Sequence, residues 1–215
     1  DELYNAYPED DIHQRGGWQL LLLVDIPENR RDAVRRSLNW LGFRALTPGT
    51  YARPGGDEHA IQDLLDEFDL SEGVILMNAS TSTMTLKKQL RKTVRDSWEL
   101  DQLAQQYNDF LKRFKPLRTA LDKGKTPTPK EAFWARLLLA HDYRRILLRD
   151  TSLPEDLLPN RWQGTLARQL VAGLYRDFAS PSLTFIENEL QSEQGRLPPP
   201  SAAFFQRFGG FTRTP

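Results

Sequence analysis

Trp18-Gln19-Leu20-Leu21-Leu22-Leu23-Val24-Asp25-Ile26-Pro27 is the stretch that decides the fold. Trp18 to Ile26 is an apolar run of strand length, fit for a strand buried at the centre of a sheet. Pro27 suits a helix start, where its missing N–H costs nothing, and Glu28 follows where an acid complements the helix dipole. Val34, Leu38 and Leu41 then recur at helical spacing, with Arg30, Arg31, Arg35 and Arg36 on the other side, and Gly42 is a stop signal. Phe43 to Leu46 and Thr50 to Arg53 read as two short strands about Pro48-Gly49. Asp57 is placed to cap a second helix carrying Ile61, Leu64, Leu65 and Phe68, and Gly73 to Asn78 reads as a last strand. The order is βαββαβ, the ferredoxin-like arrangement.

From about residue 84 the pattern becomes helical. Leu86, Leu90, Val94 and Trp98 stand four apart, and Leu103, Tyr107, Phe110, Leu111 and Phe114 continue an apolar face after a kink near Trp98, ended by Pro116. Thr128-Pro129-Lys130-Glu131 is a strong helix start, with a capping threonine, a proline in the first position and a glutamate to complete the capping box. Ser152 to Glu155 and Asn160 to Gln163 repeat the box pattern. Trp162, Leu166, Leu170, Leu174 and Phe178 mark the next helix, and Ser182 to Glu193 a weaker one. Leu197-Pro198-Pro199-Pro200 is a stiff spacer, and the aromatic terminus behind it, Phe204 to Phe211, is expected to dock on the body. The expected class is therefore α+β: a linker over residues 1–17, a ferredoxin-like domain over 18–82, and an all-α domain with a proline and aromatic tail over 83–215.

Composition bounds the function. Net charge is zero, but residues 1–80 carry 7 Lys/Arg against 15 Asp/Glu and residues 81–215 carry 22 against 14, so the parts differ by sign, −8 and +8. A zero balance argues against a general binder of nucleic-acid backbone. The basic part can hold a polyanionic ligand, or the two parts can simply attract each other. Absence of cysteine excludes disulfides, thiolate metal sites and cysteine nucleophiles, and fits a cytoplasmic protein. No apolar run approaches the roughly 20 residues that span a bilayer, so no membrane partner is expected. The chain opens on Asp1-Glu2 without an initiator Met, as a fragment or a processed product would.

No catalytic constellation stands out, and the expectation is a protein that is not an enzyme and holds no cofactor or metal. His13, His59 and His141 fall in different elements without metal-ligand spacing. Neither Gly16-Gly17 nor Gly55-Gly56 opens a helix as a phosphate loop does. Leu22 to Pro27 resembles the first strand and turn of the small CRISPR-associated ferredoxin-fold proteins, in which an aspartate at the place of Asp25 is assigned to metal-dependent nuclease chemistry. One carboxylate does not make a two-metal site, and Asp25 reads as structural, capping the helix start. Two basic clusters remain: Lys87, Lys88, Arg91, Lys92 and Arg95 on a helix, and Arg144-Arg145 after Tyr143, close to Arg149.

The helical half carries a specific resemblance. Ala140-His141-Asp142-Tyr143-Arg144-Arg145, then Leu153-Pro154-Glu155-Asp156-Leu157-Leu158-Pro159, then Trp162-Gln163-Gly164 and Ala167-Arg168, strongly resemble the C-terminal domain of the PaaX family of transcriptional repressors. Trp98, Leu100 and Tyr107 to Phe110 look like that domain's first helices. Trp18 to Pro48, with Trp40-Leu41-Gly42-Phe43, is similar to the family's central domain, and Phe204 to Gly210 matches a segment of close relatives. Family members usually have proline after the aspartate that follows the Tyr-Arg-Arg helix, whereas here Thr151 follows Asp150. They also begin with a winged-helix domain to which nothing here corresponds.

The resemblance implies a repressor of phenylacetate catabolism whose operator binding is relieved by phenylacetyl-coenzyme A. It implies a homodimer, since operators are two-fold related, with operator DNA met only through the winged-helix domain. Coenzyme A phosphates want arginine, and adenine and phenyl groups want aromatic faces. Arg144, Arg145 and His141, with Tyr143, Trp98, Tyr107 and Trp134, are the residues expected to border the thioester pocket. A metal-dependent nuclease through Asp25 and a non-catalytic interaction module are the alternatives.

Overall fold

The computed structural model describes residues 17–55, 59–68, 70, 72–81, 87–151, 153–192 and 195–210. Residues 1–16 of the expected linker, His13, Asp57, Leu86, Ser152 and Phe211 lie outside them. The chain forms two compact units, one holding the described residues from 17 to Leu100 together with Thr151–Pro159, the other Asp101–Asp150 and the described residues from Asn160 onward.

The first unit runs β1 (Trp18–Leu23), α1 (Glu28–Trp40), β2 (Arg44–Thr47), β3 (Thr50–Pro54), α2 (His59–Glu67), β4 (Val74–Ala79) and α3 (Lys87–Ser97). The sheet order is β2-β3-β1-β4 with every pair antiparallel, as the expected ferredoxin-like order requires. β1 is central because it is apolar on both faces: Leu22 pairs with Thr50 on one side and Ile75 on the other. Leu21, Val34, Leu38, Phe43, Tyr51, Ile61 and Leu64 form the core on one face. Arg53 is buried. Its Nε donates to Gln19 Oε1 at 2.8 Å, its Nη1 to the Leu41 carbonyl at 2.8 Å, and its guanidinium lies 4.7 Å from the Phe43 ring centre.

β1 stops at Leu23, short of the expected Ile26. The Val24 and Asp25 amides both turn to the Gly73 carbonyl, at 2.9 and 3.4 Å, and Ile26 enters the core. Asp25 does not cap α1, since the cap position is Pro27 and no side chain bonds there. Gly73 permits the turn, because a Cβ there would stand 2.4 Å from the Asp25 carbonyl oxygen.

The second unit holds α4 (Leu100–Asp122, its first residue aside), α5 (Pro129–Leu147), α6 (Gln163–Glu189), a short hairpin β5–β6 (Gln191–Ser192, Gly195–Arg196) and α7 (Ala202–Gln206). The Thr128 box is present in full: Thr128 Oγ1 accepts from the Glu131 amide and the Glu131 carboxylate accepts from the Thr128 amide. The expected box at Asn160 to Gln163 is not the start of α6. Trp162 takes the cap position after Arg161 at φ 59°, and no side chain caps it.

Pro116, expected to end its helix, does not, and a second helix also runs through a proline. Pro116 lies inside α4 and Pro181 inside α6. An interior proline frees the carbonyl four residues back and costs about 3 kcal/mol. Here those residues, Lys112 and Asp177, lie on exposed positions where water can serve the freed carbonyls. Packing offsets the rest: Phe114 and Leu111 before Pro116, and Phe178, Ser182 and Leu183 around Pro181, are buried. Arg118 adds ion pairs to Asp122 on its own helix and to Asp177 on α6.

Replacing Gly73 by Ala is predicted to cost about 1–3 kcal/mol in urea unfolding, because backbone must move. Gly173→Ala, whose new Cβ would meet nothing nearer than Arg118 at 3.8 Å in mid-helix, should instead be neutral or stabilise by up to about 1 kcal/mol.

Candidate functional site

α5 is two-faced, and its faces hold different chemistry. Ala132, Arg136, Leu139, Tyr143, Ile146 and Leu147 are buried. On the opposite side Trp134 (49% exposed), Leu137 (47%), Leu138 (55%) and Leu148 (46%) form an open apolar stripe. His141, Arg144 and Arg145 are exposed along the same face at i, i+3 and i+4 spacing. Trp134 is steadied edge-on by Phe133, 5.3 Å between ring centres, and Phe133 rests on Phe185 of α6 at 5.1 Å. Asp142, beside this stripe, is already engaged by Arg113 of α4. Arg144 and Arg145 sit in the last helical turn, where cations meet the negative end of the dipole.

Of the residues read from sequence as bordering a pocket, the fold brings Trp134, His141, Arg144 and Arg145 onto this one surface. Tyr143 and Tyr107 belong elsewhere, in the interior of the same unit. Tyr143 packs on Phe110 at 5.6 Å and on Phe208 of the tail at 6.1 Å. Burial pushes its hydroxyl up to about 12, against the opposing pull of Arg168, which shares a hydrogen bond with it. The Tyr107 hydroxyl donates to Asp150 Oδ2 at 2.5 Å, and its ring meets Trp162 edge-on at 5.9 Å. Trp98 is in the other unit, buried at the end of α3 and edge-on to Trp18 at 5.9 Å. Its indole N–H has no hydrogen-bond partner among the described residues. Of the basic run Lys87 to Arg95, Arg91 donates to the Asp156 carbonyl at 3.2 Å.

Asp150, Arg168 and Arg136 were not singled out from sequence, although Asp150 and Arg168 sit within or beside the quoted motifs. The missing signal is pairing: nothing in spacing says that Tyr107 reaches a residue 43 positions away. Asp25 is exposed, and among the described residues no group of three or more His, Asp or Glu is placed to hold a metal ion. No helix among them is long and apolar enough to cross a membrane.

Residues 13–94 match the PaaX protein central Cas2-like domain, and residues 98–188 match the PaaX-like protein C-terminal domain. The chain belongs to the PaaX family. It is 37% identical over 196 residues to the transcriptional repressor PaaX of Escherichia coli strain K12, an alignment covering 91% of this chain and 62% of that protein. The chain thus spans less than two thirds of its relative's length. Among solved structures, an uncharacterized protein of Mycobacterium tuberculosis, Rv0674, superposes with a TM-score of 0.49 at 20% identity, over 82% of this chain and 68% of that one.

Two measurements check the buried network. Tyr107→Phe should lower stability by about 1–3 kcal/mol, the range for a hydrogen bond to a charged acceptor. Tyr143 ionises at 10.0 when unperturbed and at about 12 in the fold, so its neutral form is favoured by folding. That contribution is complete below pH 10 and is lost as pH rises to 12. The loss between those limits should be on the order of 2–3 kcal/mol in wild type and absent from Tyr143→Phe when their denaturation curves are compared.

Proposed function

We propose that the chain is the effector-binding and dimerisation portion of a transcriptional repressor of phenylacetate degradation, relieved by phenylacetyl-coenzyme A. The observation that carries the reading is the 37% identity to a transcriptional repressor over 91% of the chain. The outer face of α5 supports the choice of ligand. An aryl thioester brings an apolar ring, served by Trp134, Leu137 and Leu138, and coenzyme A brings phosphates, served by Arg144 and Arg145. His141 stands between the two chemistries. Tyr107 and Tyr143 act behind this surface, as packing that responds to the ligand and not as contacts, and Trp98 serves as packing within its own unit. The role is regulatory and not enzymatic, in the cytoplasm, as a homodimer, with operator DNA contacted by a winged-helix domain beyond these residues. A ligand relieves repression only by binding one conformation better than another.

Calorimetry with phenylacetyl-coenzyme A tests this. The chain should bind, and Arg144→Ala and Arg145→Ala should each weaken binding roughly 10-fold or more, the worth of one lost charge-assisted hydrogen bond. Unchanged affinity in both variants would remove the assignment of this face.

A further inference from the structure

The interior of the helical unit contains a charge for which the described residues supply no counter-charge. Arg136, on the inward face of α5, is 9% exposed. Its Nη1 is buried and has no hydrogen-bond partner among the described residues, and no carboxylate among them pairs with it. What surrounds it is aromatic: its guanidinium lies 5.3 Å from the Tyr175 ring centre and 4.8 Å from that of Phe204. A second cation, Arg207, approaches the same Phe204 ring at 6.0 Å. Burial lowers the proton affinity of Arg136, and the nearby Arg207 lowers it further.

Aromatic faces return about 0.5–2 kcal/mol each to a cation, whereas taking a charge out of water costs several. A like-charged neighbour adds to that cost. A purely structural position would be better filled by methionine or leucine. The arrangement has instead the composition of a site for a missing anion: a guanidinium with a free donor edge, a second guanidinium nearby, and ring faces around them. The cover over it is slight. It consists of α7, five residues with no side-chain cap, followed by Phe208 held at φ 55° in the left-handed region and packed 4.7 Å from Tyr175.

We infer that Arg136, with Arg207 beside it, forms an oxyanion-binding site under the C-terminal tail, taking a carboxylate or phosphate group carried on a ligand with an apolar body. This site is distinct from the outer face of α5 and does not depend on what that face binds. Carboxylate and phosphate share the chemistry that a guanidinium recognises, so the probes must separate them.

Thermal unfolding of the 215-residue chain and of Arg136→Met provides the test, in chloride, inorganic phosphate and phenylacetate at matched ionic strength. Methionine keeps much of the volume and removes the charge. In chloride, Arg136→Met should melt at or above the wild-type temperature. Phosphate or phenylacetate should raise the wild-type midpoint by several degrees and leave Arg136→Met unmoved. The effective anion tells which source of oxyanion the site accepts, and Arg207→Gln should halve the shift or more. Equal response of wild type and Arg136→Met, or no response of wild type to either anion, would overturn the site. Should Arg136→Met not fold, Arg136→Lys keeps the charge without the fork and should bind the anion at least 10-fold more weakly.

Discussion

The hydroxyl of Tyr107 is the point on which the helical unit depends. It is buried, and it donates to Asp150 three residues beyond the end of α5. The same ring stands edge-on to Trp162, which opens α6. Gly164 makes that junction possible, since a Cβ there would come within 2.4 Å of the Trp162 indole nitrogen and 3.0 Å of Tyr107. One side chain of α4 thereby ties the end of α5 to the beginning of α6. With that corner set, α5 lies against α6 with Leu139, Tyr143 and Ile146 inward, and Trp134, His141, Arg144 and Arg145 are left to solvent.

Polar groups in this unit fall into three physical situations. Arg113 and Arg118 are spent on Asp142 and Asp177, holding α4 to α5 and α6 across exposed or half-buried ground, where such pairs contribute little each. Tyr107 and Tyr143 are buried and satisfied, Tyr107 by Asp150 and Tyr143 by Arg168. The outer arginines of α5 and the inner Arg136 belong to neither class. The first pair is available at an apolar surface, and Arg136 is enclosed with no acid among the described residues paired to it. Stability alone explains the first two situations and leaves the third open.

Much of the first unit was legible in the sequence because its signals are local. The run from Trp18 read as an interior strand, and the turn at Pro48-Gly49 placed the second and third strands side by side, with a bulge near Ala45. The Thr128 box located the start of α5 to the residue. The failures share one cause. Pro116 and Asn160 were read by local rules, and tertiary packing overrode both: buried neighbours carried α4 through its proline, and Trp162 displaced Asn160 from the cap. For the candidate site, the His141 to Arg145 motif pointed to one helix, but sequence order cannot tell the two faces of a helix apart when aromatic and basic residues occupy both. Tyr143 and Arg144 are adjacent in the chain and opposed in the fold. Arg136 gave no signal at all, since its significance lies in what does not surround it.

The central claim is that ligand chemistry lies on the outward face of α5 while the tyrosine corner behind it is structural. Indole N–H resonances separate the two directly, because Trp134 stands on the face and Trp162 in the corner. On titration with phenylacetyl-coenzyme A the Trp134 resonance should shift saturably and first, with the Trp162 resonance moving little or not at all. A saturating shift at Trp162, with Trp134 unmoved, would contradict the account.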